Sequence, residues 1–208
     1  MKSKYPFNSA LQSLDNQPHG EYEEVEYYEN ERGVVFVHDM YKPYTEKELE
    51  IIRKADVVYA HPPTTVGMNV FAERAGVDRN GTWKEFLLAI RKMVLELNKP
   101  TWILSSVADS GILKPDRLRH IKLYDHKSTM AVWNDDGNYE NIEQLTQGLQ
   151  ERYNSAYDFS CGYGSNVREF KYMIGSDIDK KCLGYIKQEI LGGNNEQNHN
   201  TRHNAQQS

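Results

Sequence analysis

Two stretches of the sequence hold residue types that could do chemistry. The first is Tyr157-Asp158-Phe159-Ser160-Cys161-Gly162-Tyr163-Gly164, an apolar run that passes into a turn with two glycines; Met173-Ile174-Gly175-Ser176-Asp177-Ile178-Asp179 follows it, a second apolar run ending in acids. Glycines let a backbone approach a ligand closely, a helix start beyond them offers free N–H groups, and acids at a strand end accept hydrogen bonds from ribose hydroxyls. Together they read as a cradle for a nucleotide-type cofactor. The second stretch is His61-Pro62-Pro63-Thr64, directly after the buried-strand pattern Val57-Val58-Tyr59-Ala60. Gly-x-Gly turns are common and often only structural, so the pair counts by its surroundings.

The elements that must position these loops alternate between strand and helix patterns. Val34–Val37, Val57–Ala60, Thr101–Ser105, Arg119–Tyr124, Thr129–Trp133, Ala156–Ser160 and Tyr172–Ser176 predict seven strands, the fourth and fifth joined by a link of hairpin length. Thr45-Glu46-Lys47-Glu48 starts a helix to about Lys54. Trp83, Phe86, Leu87, Ile90, Met93, Val94 and Leu97 recur at three and four residues and predict a core-facing helix, closed by Lys99-Pro100. Ile142, Leu145 and Leu149 mark another helix, and Lys180 to Leu191 a closing one. This alternation predicts an α/β doubly wound, mostly parallel seven-stranded sheet with an antiparallel hairpin at its edge. Ligands then sit at the carboxyl ends of the strands.

The 208 residues fit one ordinary domain. Residues 1–32 read as a polar, acidic arm, 33–191 as the body, and 192–208, rich in Asn and Gln, as a disordered tail. Of 30 acidic residues, six glutamates lie between Glu21 and Glu31 with no base among them, so the remainder, with 25 Lys and Arg, is close to neutral. A local basic face can then come from Lys114, Arg117, Arg119, Lys122 and Lys127 as a group, although each alone fits a solvated strand. Two cysteines form no disulfide framework, and the seven histidines show no zinc spacing, so no metal is expected. No apolar leader opens the chain and no run is long enough to cross a bilayer, which predicts a cytoplasmic protein without membrane contact.

The order of these motifs resembles the circularly permuted, beta-class S-adenosylmethionine-dependent DNA amino-methyltransferases. The likeness spans about Gly33 to Leu191: Asp39 first, His61-Pro62-Pro63 second, the cradle last. It implies S-adenosylmethionine as cofactor and DNA as partner, with transfer to an exocyclic amine of adenine or cytosine. By the same resemblance Asp158, Ser160, Cys161, Gly162 and Gly164 hold cofactor, Asp177 and Asp179 face its ribose, and Asp39 lies near its adenine. His61, Pro62, Pro63 and Thr64 take the place of a catalytic motif that is usually Asp, Asn or Ser, then Pro-Pro and an aromatic residue.

This chain has His61 at the acceptor position and Thr64 at the stacking one. A neutral imidazole accepts one hydrogen bond from an amine, whereas an imidazolium repels an amine that is becoming positive. Activity is therefore expected to fall below the ordinary histidine pKa of about 6.5. Thr64 cannot stack on a base, a contact typically worth about 1–3 kcal/mol, unless Tyr59, Phe71 or Trp83 supplies it. Two readings stay open: an active methyltransferase, or a degenerate relative serving as a binding module, with the acidic arm meeting a protein partner. A dehydrogenase fits less well, since the first strand carries no glycine fingerprint.

Overall fold

The computed structural model describes residues 20–22, 25–62, 81–123, 126–160, 170–177 and 188–192. Among the described residues nine strands form one sheet: β1 (Gly20–Tyr22), β2 (Val25–Asn30), β3 (Gly33–Val37), β4 (Val57–Ala60), β5 (Thr101–Ser105), β6 (Arg117–Leu123), β7 (His126–Trp133), β8 (Ser155–Asp158) and β9 (Tyr172–Asp177). Their spatial order is β1-β2-β3-β9-β8-β4-β5-β7-β6. The pairs from β3 to β5 are parallel, and antiparallel pairs extend the sheet at both margins. The architecture is the expected doubly wound α/β sheet, with nine strands rather than seven. The difference comes from β1 and β2, which lie within the acidic run; Glu26 and Glu29 are half-buried on β2 while Val25 and Tyr28 are buried.

Burial of both sheet faces explains the continuous apolar character of the central strands. Val34, Phe36, Val58, Ala60, Ile103 and Tyr157 pack with helices α1 (Glu46–Ile52) and α2 (Trp83–Leu97) on one face. Val35, Val57, Tyr59, Trp102 and Ala156 pack with helix α4 (Ile142–Arg152) on the other. A four-residue helix α3 (Ser110–Leu113) lies between β5 and β6. Strand β9 comes so close to β3 that a Cβ at Gly33 would overlap the carbonyl of Met173.

Helix boundaries follow from capping. Thr45 and Glu48 form a reciprocal capping box at the start of α1, and Thr82 with Glu85 does the same for α2. Asn98 ends α2 in the left-handed conformation, φ 50°, before Lys99-Pro100. The buried stripe Phe86, Leu87, Ile90, Met93, Val94 and Leu97 matches the sequence periodicity. Each such side chain contributes about 1.5–3 kcal/mol by leaving water.

Of the predicted closing helix, only Gln188–Gly192 falls among the described residues, as one π-helical turn. The tail from 193, the glycine turn at 161–169 and the loop at 63–80 lie outside them.

Candidate functional site

Parallel pairing brings the carboxyl ends of β3, β9, β8, β4 and β5 to one edge of the sheet. Three acids line up there. Asp177 is opposite Val37 across the β3–β9 ladder, and Asp158 is opposite Gly175 across β8–β9. Asp39 follows two residues after β3, half-buried, its carboxylate accepting from the Tyr41 N–H at 3.1 Å. The His38 N–H donates to the Asp177 carbonyl at 2.9 Å, so the β3 and β9 ends are tied together. Asp158 and Asp177 are buried.

The proline loop and the start of the glycine turn meet directly. The His61 N–H donates to Ser160 Oγ at 2.7 Å. Ser160 in turn donates through its hydroxyl, and through its N–H at 2.8 Å, to Asp158 Oδ1. A three-residue path therefore runs from the end of β4 to the end of β8.

His61 Nε2 is 2.8 Å from the Tyr59 hydroxyl, with the two rings 5.1 Å apart. Burial pushes the His61 imidazole down to about 4, because desolvation disfavours the charged form. It is neutral at neutral pH. The fall in function expected near pH 6.5 is thus displaced well into the acid range. Tyr59 is fully buried beneath this histidine and cannot stack on a ligand, contrary to its place among the stacking candidates.

Beside the proline loop, over β4, β5 and β7, lies a cavity of about 650 Å³. Pro62 stands at its wall with Trp83, Phe86 and Leu87 of α2, Ser105 and Ser106 at the end of β5, and Lys127, Ser128 and Thr129 of β7. Trp83 is half-buried, 4.8 Å from the Phe86 ring, and its indole N–H donates to Asp109 at 2.9 Å. Its ring is fixed in place. The apolar body with a few convergent polar groups suits a planar ligand of modest size. Sequence reasoning named Trp83, and Lys127 as part of the basic group, but did not join them to Asp109, Ser128 or Thr129, since no local pattern links residues so far apart.

Under the acid row sits a buried polar network, in which His38 Nε2 has no partner among the described residues. His38 Nδ1 and Glu48 Oε1 are 2.8 Å apart, both buried, and the Tyr44 ring stacks on His38 at 3.8 Å. Burial pushes the Glu48 carboxyl up, yet His38 and Thr45 together hold it below the usual range. The Tyr44 hydroxyl bonds Tyr157, and Tyr157 bonds Ser176. These groups brace β3, β8 and β9 from below.

Of the residues singled out from sequence, Asp39, His61, Pro62, Asp158, Ser160 and Asp177 share this carboxyl edge. Pro63, Thr64, Phe71, Cys161, Gly162, Gly164 and Asp179 lie outside the described residues. The basic group divides: Arg117 and Arg119 alternate with Lys122 along β6, so they point to opposite faces of the hairpin.

No family model matches the chain, and no curated protein matches it. Among solved structures, it is similar to one described as "crystal structure of M1.HpyAVI-SAM complex", with a TM-score of 0.43 and 11% identity, covering 74% of this chain and 97% of that one. No described helix is long and apolar enough to cross a membrane.

Proposed function

We propose that this chain transfers a methyl group from S-adenosylmethionine to an exocyclic amine of a base in DNA, adenine or cytosine. The observation that carries the reading is the hydrogen bond from the His61 N–H to Ser160 Oγ, which joins the proline loop to the start of the glycine turn. His61 and Ser160, the described starts of the two loops, stand at adjacent strand ends, with the acid row on one side and the cavity at Pro62 on the other. The donor set fits the cofactor: acids at adjacent strand ends suit ribose hydroxyls and an adenine amine.

In this reading Asp177, with Asp179, holds the ribose and Asp39 the adenine. Asp158 and Ser160 fix the first turn, and Cys161, Gly162 and Gly164 supply close backbone. When bound, S-adenosylmethionine supplies an electrophilic methyl group, taken by direct displacement without a covalent enzyme intermediate. The protein's task is positioning. His61 keeps its proton on Nε2, donating to the Tyr59 oxygen, and presents Nδ1 as acceptor for the amine N–H. Pro62 and Pro63 shape the loop, and Trp83 supplies the flat ring that Thr64 lacks.

Titration calorimetry with S-adenosylmethionine, followed by tritiated methyl transfer to duplex and single-stranded DNA, tests the proposal. Binding with transfer supports it. Binding without transfer selects the binding-module reading, which the His61 and Thr64 departures favour; absence of both rejects the cofactor site.

A further inference from the structure

We infer that the α2-side face of the β6–β7 hairpin is a docking track for the sugar–phosphate backbone of a nucleic acid, leading to the cavity beside Pro62. The inference rests on reading that cavity as the acceptor site, and it adds where the acceptor strand is gripped.

Lys122 and Lys127 stand directly opposite each other across the hairpin, so both side chains leave the same face. Like charges in that position destabilise an antiparallel pair. Both lysines are exposed, and the lysine ion pairs among the described residues, Lys47–Glu50, Lys54–Glu29 and Lys92–Glu96, include neither. The hairpin therefore holds two adjacent cations together without a described counter-ion. Strand spacing of about 5 Å, with flexible four-carbon stems, lets the two ammonium groups reach successive phosphates.

The face continues in two directions. His120, one step along the same face, bonds Thr129 through Nδ1 at 3.1 Å and is exposed. Lys127 and Thr129 also form part of the cavity wall that includes Pro62 and Trp83. A strand held on the lysine pair thus has a base within reach of the cavity. The opposite face carries Arg117 and Arg119, both half-buried and following one another along a single strand, with Ile121 and Leu123, which pack toward α4; it has no pair of exposed cations facing each other across the hairpin.

Charge complementarity selects a polyanion, and the adjoining aromatic cavity selects one that carries planar bases. An acidic polypeptide would satisfy the lysines and leave the cavity unused.

Fluorescence anisotropy with a labelled oligonucleotide, as duplex and as single strand, tests this across a salt series. Lys122→Gln/Lys127→Gln is expected to weaken binding about 10-fold near physiological salt and to reduce the log–log salt slope by about 2, one per lysine. Lys47→Gln, on α1, should leave both unchanged. A thermal melt and calorimetry with S-adenosylmethionine confirm that the double variant is folded and its cofactor site intact. Unchanged affinity and slope in the double variant overturn the track, as does equal competition by polyglutamate. If wild-type protein binds DNA through these lysines yet takes no S-adenosylmethionine, the track stands and the methyl-transfer reading falls.

Discussion

The two ends of the central parallel strands are built on opposite plans. At the amino end, the carboxylates are closed by protein donors, although the buried Trp133 indole N–H there has no partner among the described residues. Asp135, with its carboxylate out of solvent, accepts from Arg152 at 2.6 and 3.2 Å, from the Trp102 indole at 3.0 Å and from the Gly137 N–H at 2.7 Å. Asp56 takes the N–H groups of Asn154 and Ser155, and Lys99 donates to the carbonyls of Arg53 and Ala55. At the carboxyl end, His61 is neutral, Asp39 is half-buried, and a cavity opens beside Pro62. The difference teaches where each kind of polar group belongs. Saturated carboxylates lock strand starts together, while groups with spare hydrogen-bonding capacity gather where a ligand can use it.

The sharpest way to break that contrast is to remove His61. If Nδ1 holds the amine, His61→Ala should lower turnover about 100-fold or more, the scale seen when a positioned polar group at a reacting centre is lost. Cofactor affinity, read by calorimetry, should stay within about threefold. Asp177→Ala should reverse the pattern, weakening cofactor at least about 10-fold. Equal losses in both assays for both variants would erase the division between the acid row and the proline loop.

Next in size is the pH dependence of stability. The folded-state pKa of His61 is depressed to about 4, so between its unfolded value near 6.5 and about 4 the unfolded chain binds more protons. Stability from this group is complete above about pH 6.5 and is lost as pH falls toward 4, by at most about 3 kcal/mol. Urea melts from pH 7 to 4 should show this slope, and His61→Asn should flatten it. Under the proposed function, turnover in the wild type should hold through pH 5.5; a fall near 6.5 would mean that the imidazole is not desolvated.

The amino end should answer differently. Burial pushes the Asp135 carboxyl up, but hydrogen bonds from Arg152, Trp102 and Gly137 outweigh it and hold the group below the usual range. Arg152→Ala leaves that carboxylate with two donors fewer and should cost about 2 kcal/mol, discounted because the guanidinium is partly exposed. Cofactor affinity and turnover should be unchanged at a temperature where the variant is folded. Loss of turnover without loss of stability would contradict the assignment of this end to structure.

How far these ends were legible in the sequence follows from how local each signal is. The strand patterns at Val57–Ala60 and Thr101–Ser105 coincide with β4 and β5, and the α2 stripe runs from Trp83 to Leu97 as spaced. Those elements are buried on both faces or along one stripe, so apolar periodicity reports them fully. β2 was hidden because glutamates interrupt Val25, Tyr27 and Tyr28, and a margin strand needs only half its residues buried. The acids and His61 were visible as motifs at strand ends. The desolvation of His61, the Tyr59 bond beneath it and the pairing of Lys122 with Lys127 were not, because each depends on strand register or on neighbours from other elements.

The smallest expected effect sits at the joint between the two loops. Ser160 accepts the His61 N–H and donates to Asp158, so Ser160→Ala removes both of its hydroxyl's bonds and keeps the bond from the Ser160 N–H to Asp158. One such neutral hydrogen bond is worth about 1 kcal/mol net. Thr146 on α4 is the matched comparison: a buried hydroxyl donating to Ile142 and Glu143 carbonyls within its own helix. Thr146→Ala should lower the melting temperature slightly and leave function untouched. Ser160→Ala should cost similar stability, but because it loosens both the proline loop and the Asp158 turn, it should also weaken cofactor binding and turnover a few-fold each. If the two variants behave alike in all three measurements, the hydrogen bond between His61 and Ser160 is only a brace, and the carboxyl end is no more specialised than the amino end at that point.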